Sequence, residues 1–215
     1  LNARTVESMI AAGKKANALK IPVIFDPVGA GASAYRNEST QRLLQSVRMA
    51  VIRGNLSEMS FIAGLEVSTK GVDSAAEDES KDPVAIANKV AKEHNCVAAI
   101  TGEIDTVSDG RKVYRIANGV ADLARVTGTG CMTTALIGAL CGTVFASHQT
   151  SSSANYFNAT IAGIATTGIA GEFAKERLTH AGTGFGTGSF HVALLDAISQ
   201  MDAATFREKA KINEV

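Results

Sequence analysis

At 215 residues, with 21 basic and 21 acidic side chains and a formal net charge of zero, the chain lacks the basic excess that nucleic acid or an anionic membrane would select. A hydrophobic share of 46% with 20 glycines and 5% aromatics suits one α/β domain, residues 1–215, built with tight strand-to-helix turns. Cys96, Cys131 and Cys141 have no Cys-x-x-Cys spacing and the histidines are scattered, which argues against a disulfide framework or a zinc site and for free thiols in the cytoplasm.

In chain order, Val6, Met9, Ile10, Gly13 and Ala16 form the apolar stripe of a first helix. Three short apolar runs follow, Pro22–Phe25, Met49–Ile52 and Val97–Ile100, ending at Asp26, Arg53 and Thr101. Helical spacing fills 37–47, 57–65 and 83–94 between and around them. Continuous apolar runs alternating with helices predict parallel strands covered on both faces, joined by right-handed crossovers. Glu77–Pro83 reads as a charged, solvated connector. Val107–Val113, with Asp109-Gly110 at its centre, predicts an antiparallel hairpin added to the sheet. Helices over 130–146, 153–176 and 189–200 complete the pattern. The charge-free run Ala154–Gly171 is rich in Ala, Gly and Thr rather than Leu and Ile, so it reads as a helix packed against protein and not lipid.

Ligands of open α/β sheets bind beyond the carboxyl ends of the strands. Asp26, Arg53 and Thr101 reach those ends, so an acid, a base and a hydroxyl converge on one edge. Thr127-Gly128-Thr129-Gly130-Cys131 adds a glycine-rich turn opening directly into a helix, where unpaired N–H groups and the helix dipole suit an anion. No Walker-type lysine follows these glycines, so the turn is not a P-loop. Cys131 sits on the first helical turn, where a nucleophile or base would have to be; most cysteines in such chains are inert or core residues.

Two further segments carry competing readings. Gly29-x-Gly31-x-x-Ala34 follows a strand as a dinucleotide fingerprint would, but Pro27 intervenes and Arg53-Gly54-Asn55 ends the next strand where a ribose-binding acid is needed. The simpler reading is a loop requiring positive φ, and a loop beside a nucleotide or metal-linked substrate is favoured over the dinucleotide fingerprint. Asn55-x-x-Glu58 matches a capping box, and Glu58 is alternatively a residue that holds water on a magnesium ion.

These motifs resemble the ribokinase-like superfamily, and within it the hydroxyethylthiazole kinase family. The resemblance rests on Asp26–Ala32 with Tyr35-Arg36, Ile52–Asn55 with Glu58, and Ile100–Glu103 with Asp105. It continues through Arg125–Cys131 and Gly186–Phe190, in order along nearly the whole chain. It implies a mostly parallel central sheet with helices on both faces and a small antiparallel addition. The implied activity is transfer of the ATP γ-phosphoryl group to the alcohol of 4-methyl-5-(2-hydroxyethyl)thiazole with Mg²⁺, in thiamine biosynthesis. It further implies that Arg53 and Thr101 contact the ATP phosphates and that Asp26 and Glu58 organise magnesium and its waters. Gly128, Gly130 and Cys131 would form the anion hole, with Gly128 against the thiazole.

Related kinases mostly carry Asp where Cys131 stands, and the thiazole kinases carry Cys. Thr129 and Thr187 depart from the family's usual Ala and Pro. The resemblance also implies an N-terminal segment ahead of Leu1, carrying strands and part of the thiazole pocket, and a homotrimer with the thiazole site between subunits. Rival expectations are a hydroxymethylpyrimidine kinase, a nicotinamide-hydrate dehydratase, or a non-catalytic relative. The Cys at 131 counts against the first two, and retention of Asp26, Arg53, Glu58 and Cys131 against the third.

Overall fold

A computed structural model describes residues 1–65, 82–147, 153–180 and 184–215. The chain runs α1 (Ala3–Ala18), β1 (Ile24–Phe25), α2 (Ala34–Ser46), β2 (Val51–Asn55), α3 (Leu56–Ile62), α4 (Pro83–His94) and β3 (Val97–Thr101). It continues with β4 (Asp105–Ser108), β5 (Val113–Ile116), a 3₁₀ turn (Ala121–Arg125), α5 (Thr129–Ala146), α6 (Ser153–His180), α7 (Thr187–Ser199), α8 (Ala203–Lys209) and β6 (Ile212–Glu214). The predicted helices and strands are all present. The charged connector lies outside the described residues up to 81; beyond it, Asp82 caps α4 by accepting from the Val84 and Ala85 N–H groups, with Pro83 in the first turn.

The six strands lie side by side in chain order. β1, β2 and β3 are parallel, as expected of strands separated by helices, whereas β4, β5 and β6 are antiparallel. The antiparallel part is larger than the predicted hairpin because the C-terminal β6 pairs with β5, an element too short and polar to be read from apolar periodicity. At the hairpin turn, the Asp109 carboxylate accepts the Arg111 and Lys112 N–H groups.

Alternation along the strands builds two cores. Ile52, Ala98 and Ile100 face α1, α2, α3 and α4, joining Val6, Leu43, Met59 and Val90. Val51, Val97 and Ala99 point the other way, to Ile137 and Cys141 of α5 and Phe157 and Ile164 of α6. A third cluster, centred on Phe190 and Leu194 of α7 and Ala170 and Ala174 of α6, holds Val126 ahead of α5. The Ala/Gly composition of α6 has a packing cause. A Cβ at Gly163 would stand 2.7 Å from an Ile137 side-chain carbon and 3.1 Å from its Cα, so only glycine permits the close approach of α6 to α5.

One described helix, α5, is long and apolar enough by length and composition to cross a bilayer. It begins at the glycine-rich turn and buries Thr133, Ile137 and Cys141 against its neighbours.

Candidate active site

The carboxyl ends of β1, β2 and β3 meet the N-terminus of α5, and there the predicted residues come together. Arg53, in the middle of β2, places Nη2 2.8 Å from Thr101 Oγ1 at the end of β3 and Nη1 3.4 Å from Asp26 Oδ2 just past β1. Thr101 in turn lies 3.4 Å from the Gly54 carbonyl, to which its hydroxyl hydrogen can donate. The Arg53 and Asp26 side chains are 12% and 14% exposed, so their attraction is little screened by solvent. Arg53 Nε is buried without a hydrogen-bond partner. A charged donor left unpaired in a largely closed site is suited to an anionic guest.

The turn into α5 supplies further donors. Gly128 takes φ +96°, a conformation that side chains resist, and acts as the N-cap. The first intrahelical bond is Met132 N–H to the Gly128 carbonyl, and no side chain caps the end. The preceding N–H groups of Thr129, Gly130 and Cys131 therefore have no helical acceptor. Thr129 holds the turn from behind, its hydroxyl 2.9 Å from the Leu123 carbonyl and 3.2 Å from that of Val126. Cys131 is exposed on the first turn. Cys96 and Cys141 are buried, and desolvation pushes both thiols up to about 12.

Glu58 satisfies the capping box, with the Asn55 side chain accepting its N–H and Oε2 accepting the Asn55 N–H at 2.9 Å. Its other oxygen accepts the Gly29 N–H at 2.8 Å. Glu58 thus ties the loop after Asp26 to the end of β2. Burial raises its carboxyl above the usual range, partly opposed by these two backbone bonds, while the Asp26 charge adds to the rise and Arg53 offsets it. Gly29 and Gly31 take φ +75° and +90°, so the glycine loop has the positive-φ geometry of the simpler reading.

A hard cation with few protein ligands fits this donor set. Mg²⁺ commonly takes one or two carboxylates and fills its remaining positions with water and substrate phosphate. Asp26 keeps Oδ1 free of hydrogen bonds among the described residues, since Arg53 and Thr134 both engage Oδ2. No group of three or more His, Cys, Asp or Glu side chains able to hold a metal occurs among the described residues.

Three further side chains lie at this edge of the sheet in contacts that the sequence does not show. Thr134, one turn along α5 from Gly130, donates to Asp26 Oδ2 at 2.7 Å. Asp105, at the start of β4, accepts the Gly102 N–H at 3.0 Å, and burial raises its carboxyl to about 6 despite that bond and the nearby Arg53. The Thr129 hydroxyl is the third. Asp105 and Thr129 stand within motifs that the sequence singled out, whereas only the i, i+4 spacing from Gly130 hinted at Thr134.

A profile of the hydroxyethylthiazole kinase family matches residues 1–204. The chain belongs to the hydroxyethylthiazole kinase family. A hydroxyethylthiazole kinase of Ruminiclostridium cellulolyticum is 53% identical over 216 residues, spanning 100% of this chain and 74% of that protein. The structure of a hydroxyethylthiazole kinase protein from Pyrococcus horikoshii OT3 superposes with a TM-score of 0.79 at 35% identity, covering 100% of this chain and 74% of that one. A Staphylococcus aureus pyridoxal kinase in complex with AMP-PCP shares the ribokinase-like fold, with TM-score 0.54, 18% identity, and coverage of 77% and 58%. Like other hydroxyethylthiazole kinases, the chain is an ATP-dependent phosphotransferase in the biosynthesis of thiamine.

Proposed function

We propose that this chain carries the ATP γ-phosphoryl group to the hydroxyl of 4-methyl-5-(2-hydroxyethyl)thiazole through the site between β1, β2, β3 and the N-terminus of α5. The observation that carries this reading is the Arg53 guanidinium, held by Thr101 and Asp26 with Nε buried and unpartnered. Arg53 and Thr101 receive the ATP phosphates. The free N–H groups from Gly128 to Cys131 neutralise charge on the transferred group, and Gly128 lies against the thiazole.

Asp26 is the residue to hold Mg²⁺, with Glu58 behind it contributing charge and its remaining lone pairs to the ion's waters. An ion held there would supply charge neutralisation of the phosphates. Phosphoryl transfer is loose in most analyses, so positioning and charge neutralisation dominate and the acceptor's proton leaves late. Cys131 needs only to orient the hydroxyl and take that proton as the new P–O bond forms and the bond to ADP breaks. No covalent enzyme intermediate is required.

The single kinase domain and the cytoplasmic location belong to the same reading. So does a homotrimer: only 17% of α5 is buried, leaving apolar residues such as Ala135 and Ala139 exposed on a face that a neighbouring subunit can cover. Light scattering of the purified chain measures that state. ATP consumption assayed with the hydroxyethyl thiazole against hydroxymethylpyrimidine tests the activity. Turnover with the thiazole alone is expected, and turnover with the pyrimidine alone overturns the reading.

A further inference from the structure

Several of the described helical threonines turn their hydroxyls back onto their own helix. Thr133 lies 2.9 Å from the Thr129 carbonyl, Thr160 2.7 Å from Tyr156, Thr167 3.1 Å from Gly163 and Thr179 2.8 Å from Lys175. Thr134 departs from this habit. Its Oγ1 stands 2.7 Å from Asp26 Oδ2, across 108 residues of chain, and 3.2 Å from its own i−4 carbonyl on Gly130. A hydroxyl has one hydrogen to give. The shorter contact is to a carboxylate, where a charge-assisted bond is roughly twice as strong as a neutral one, so the hydrogen goes to Asp26.

Asp26 needs such a partner. It follows the two-residue strand β1, at the end of the sheet order, and the next residue is Pro27, which has no N–H to offer. Arg53 reaches it at 3.4 Å, long for a hydrogen bond between nitrogen and oxygen. The Thr134 contact is the short one, and it falls on the same oxygen that faces Arg53. The first two turns of α5 therefore touch both members of the ion pair from one helical face: Gly130 admits the guanidinium and Thr134 grips the carboxylate.

We propose that Thr134 is a positioning residue: its hydroxyl holds the Asp26 carboxylate in register with the N-terminus of α5, so that the acid and the anion-binding turn move as one unit. The inference rests on Asp26 acting in phosphoryl transfer.

The experiment compares Thr134→Val, which keeps the shape and removes the hydroxyl, with Thr134→Ser, which keeps the hydroxyl, in wild-type and Asp26→Asn backgrounds. Single-turnover and steady-state rates are followed with ATP and the hydroxyethyl thiazole. Thr134→Val is expected to lower kcat roughly ten- to hundredfold, the range for a hydrogen bond to a charged group, with KM for the thiazole within about twofold. Thr134→Ser is expected to restore most of the loss, and Thr134→Val to cost nothing further once Asp26 is Asn. In a crystal structure of Thr134→Val, the Asp26 carboxylate is expected to have rotated away from Arg53.

Wild-type turnover in Thr134→Val, the same fold loss in both backgrounds, failure of Ser to rescue, or an unmoved carboxylate each overturns the inference. If Asp26→Asn itself turns over as the wild type does, the catalytic reading of Asp26 falls and this one with it. An impaired Asp26→Asn beside an unimpaired Thr134→Val overturns only the role of Thr134.

Discussion

Gly130 is glycine where Arg53 requires it: a Cβ there would stand 2.8 Å from Nη1 of the guanidinium. The helix whose first N–H groups have no helical acceptor and the arginine beside it meet at a point with no room for a methyl group. The clash falls on the far end of a flexible side chain, so it costs more in positioning than in folding. Gly130→Ala is therefore expected to lower kcat/KM about a hundredfold, as a displacement of an ångström in a catalytic group does, while Tm shifts little. Steady-state kinetics and thermal denaturation on the same preparation separate the two effects.

Both Glu58 oxygens accept backbone N–H groups, from Gly29 and Asn55, at a site 7% exposed. Glu58→Gln replaces one acceptor with an NH₂ group facing an N–H donor. Urea denaturation is expected to show a loss of about 1–3 kcal/mol, with turnover impaired because the loop carrying Asp26 is no longer tied to β2. Stability equal to that of the wild type removes this fastening role.

Burial raises the Asp105 carboxyl from 3.8 to about 6. The folded chain thus favours the protonated acid, and the stability this group provides is present below pH 3.8 and is lost as pH rises through about 6. Asp105→Asn does not titrate. Its stability relative to wild type is expected to increase by about 2 kcal/mol between pH 4 and pH 7, because a tenfold change in proton affinity on folding is worth about 1.4 kcal/mol, the rise here is roughly a hundredfold, and part of the effect is already lost at pH 4. Chemical denaturation of both proteins across that range measures the difference, and a flat difference contradicts it.

In the proposed mechanism Cys131 carries less of the load than the electrostatic groups around it. Cys131→Ala is expected to lower kcat by about ten- to a hundredfold, at or below the low end for loss of a general base. Arg53→Ala and removal of divalent cation are expected to cost more. If Cys131→Ala stops turnover as completely as chelation does, proton transfer limits the rate and the proposed ranking is reversed.

The local features of this chain were legible from spacing. Apolar runs ending at Phe25, Ile52 and Ile100 announced parallel strands, Asp109-Gly110 a hairpin, Asn55 and Glu58 a capping box, and the glycines before Cys131 a helix N-terminus. Each depends on residues a few positions apart, so the pattern itself contains the cause. The ordered array of motifs also carried the resemblance to the family, because Asp26, Arg53, Thr101 and the turn at Gly128 stand in the family's order.

What those residues do to one another was not legible. That Arg53 joins Thr101 across 48 residues, that Thr134 serves Asp26 across 108, and that Glu58 anchors Gly29 are consequences of which strand lies beside which. The Asp105 environment is likewise set by packing rather than by its neighbours in sequence. Hydrophobic periodicity selects the elements, whereas the polar network across their ends depends on ångström-scale distances that exist only once the sheet and α5 have docked.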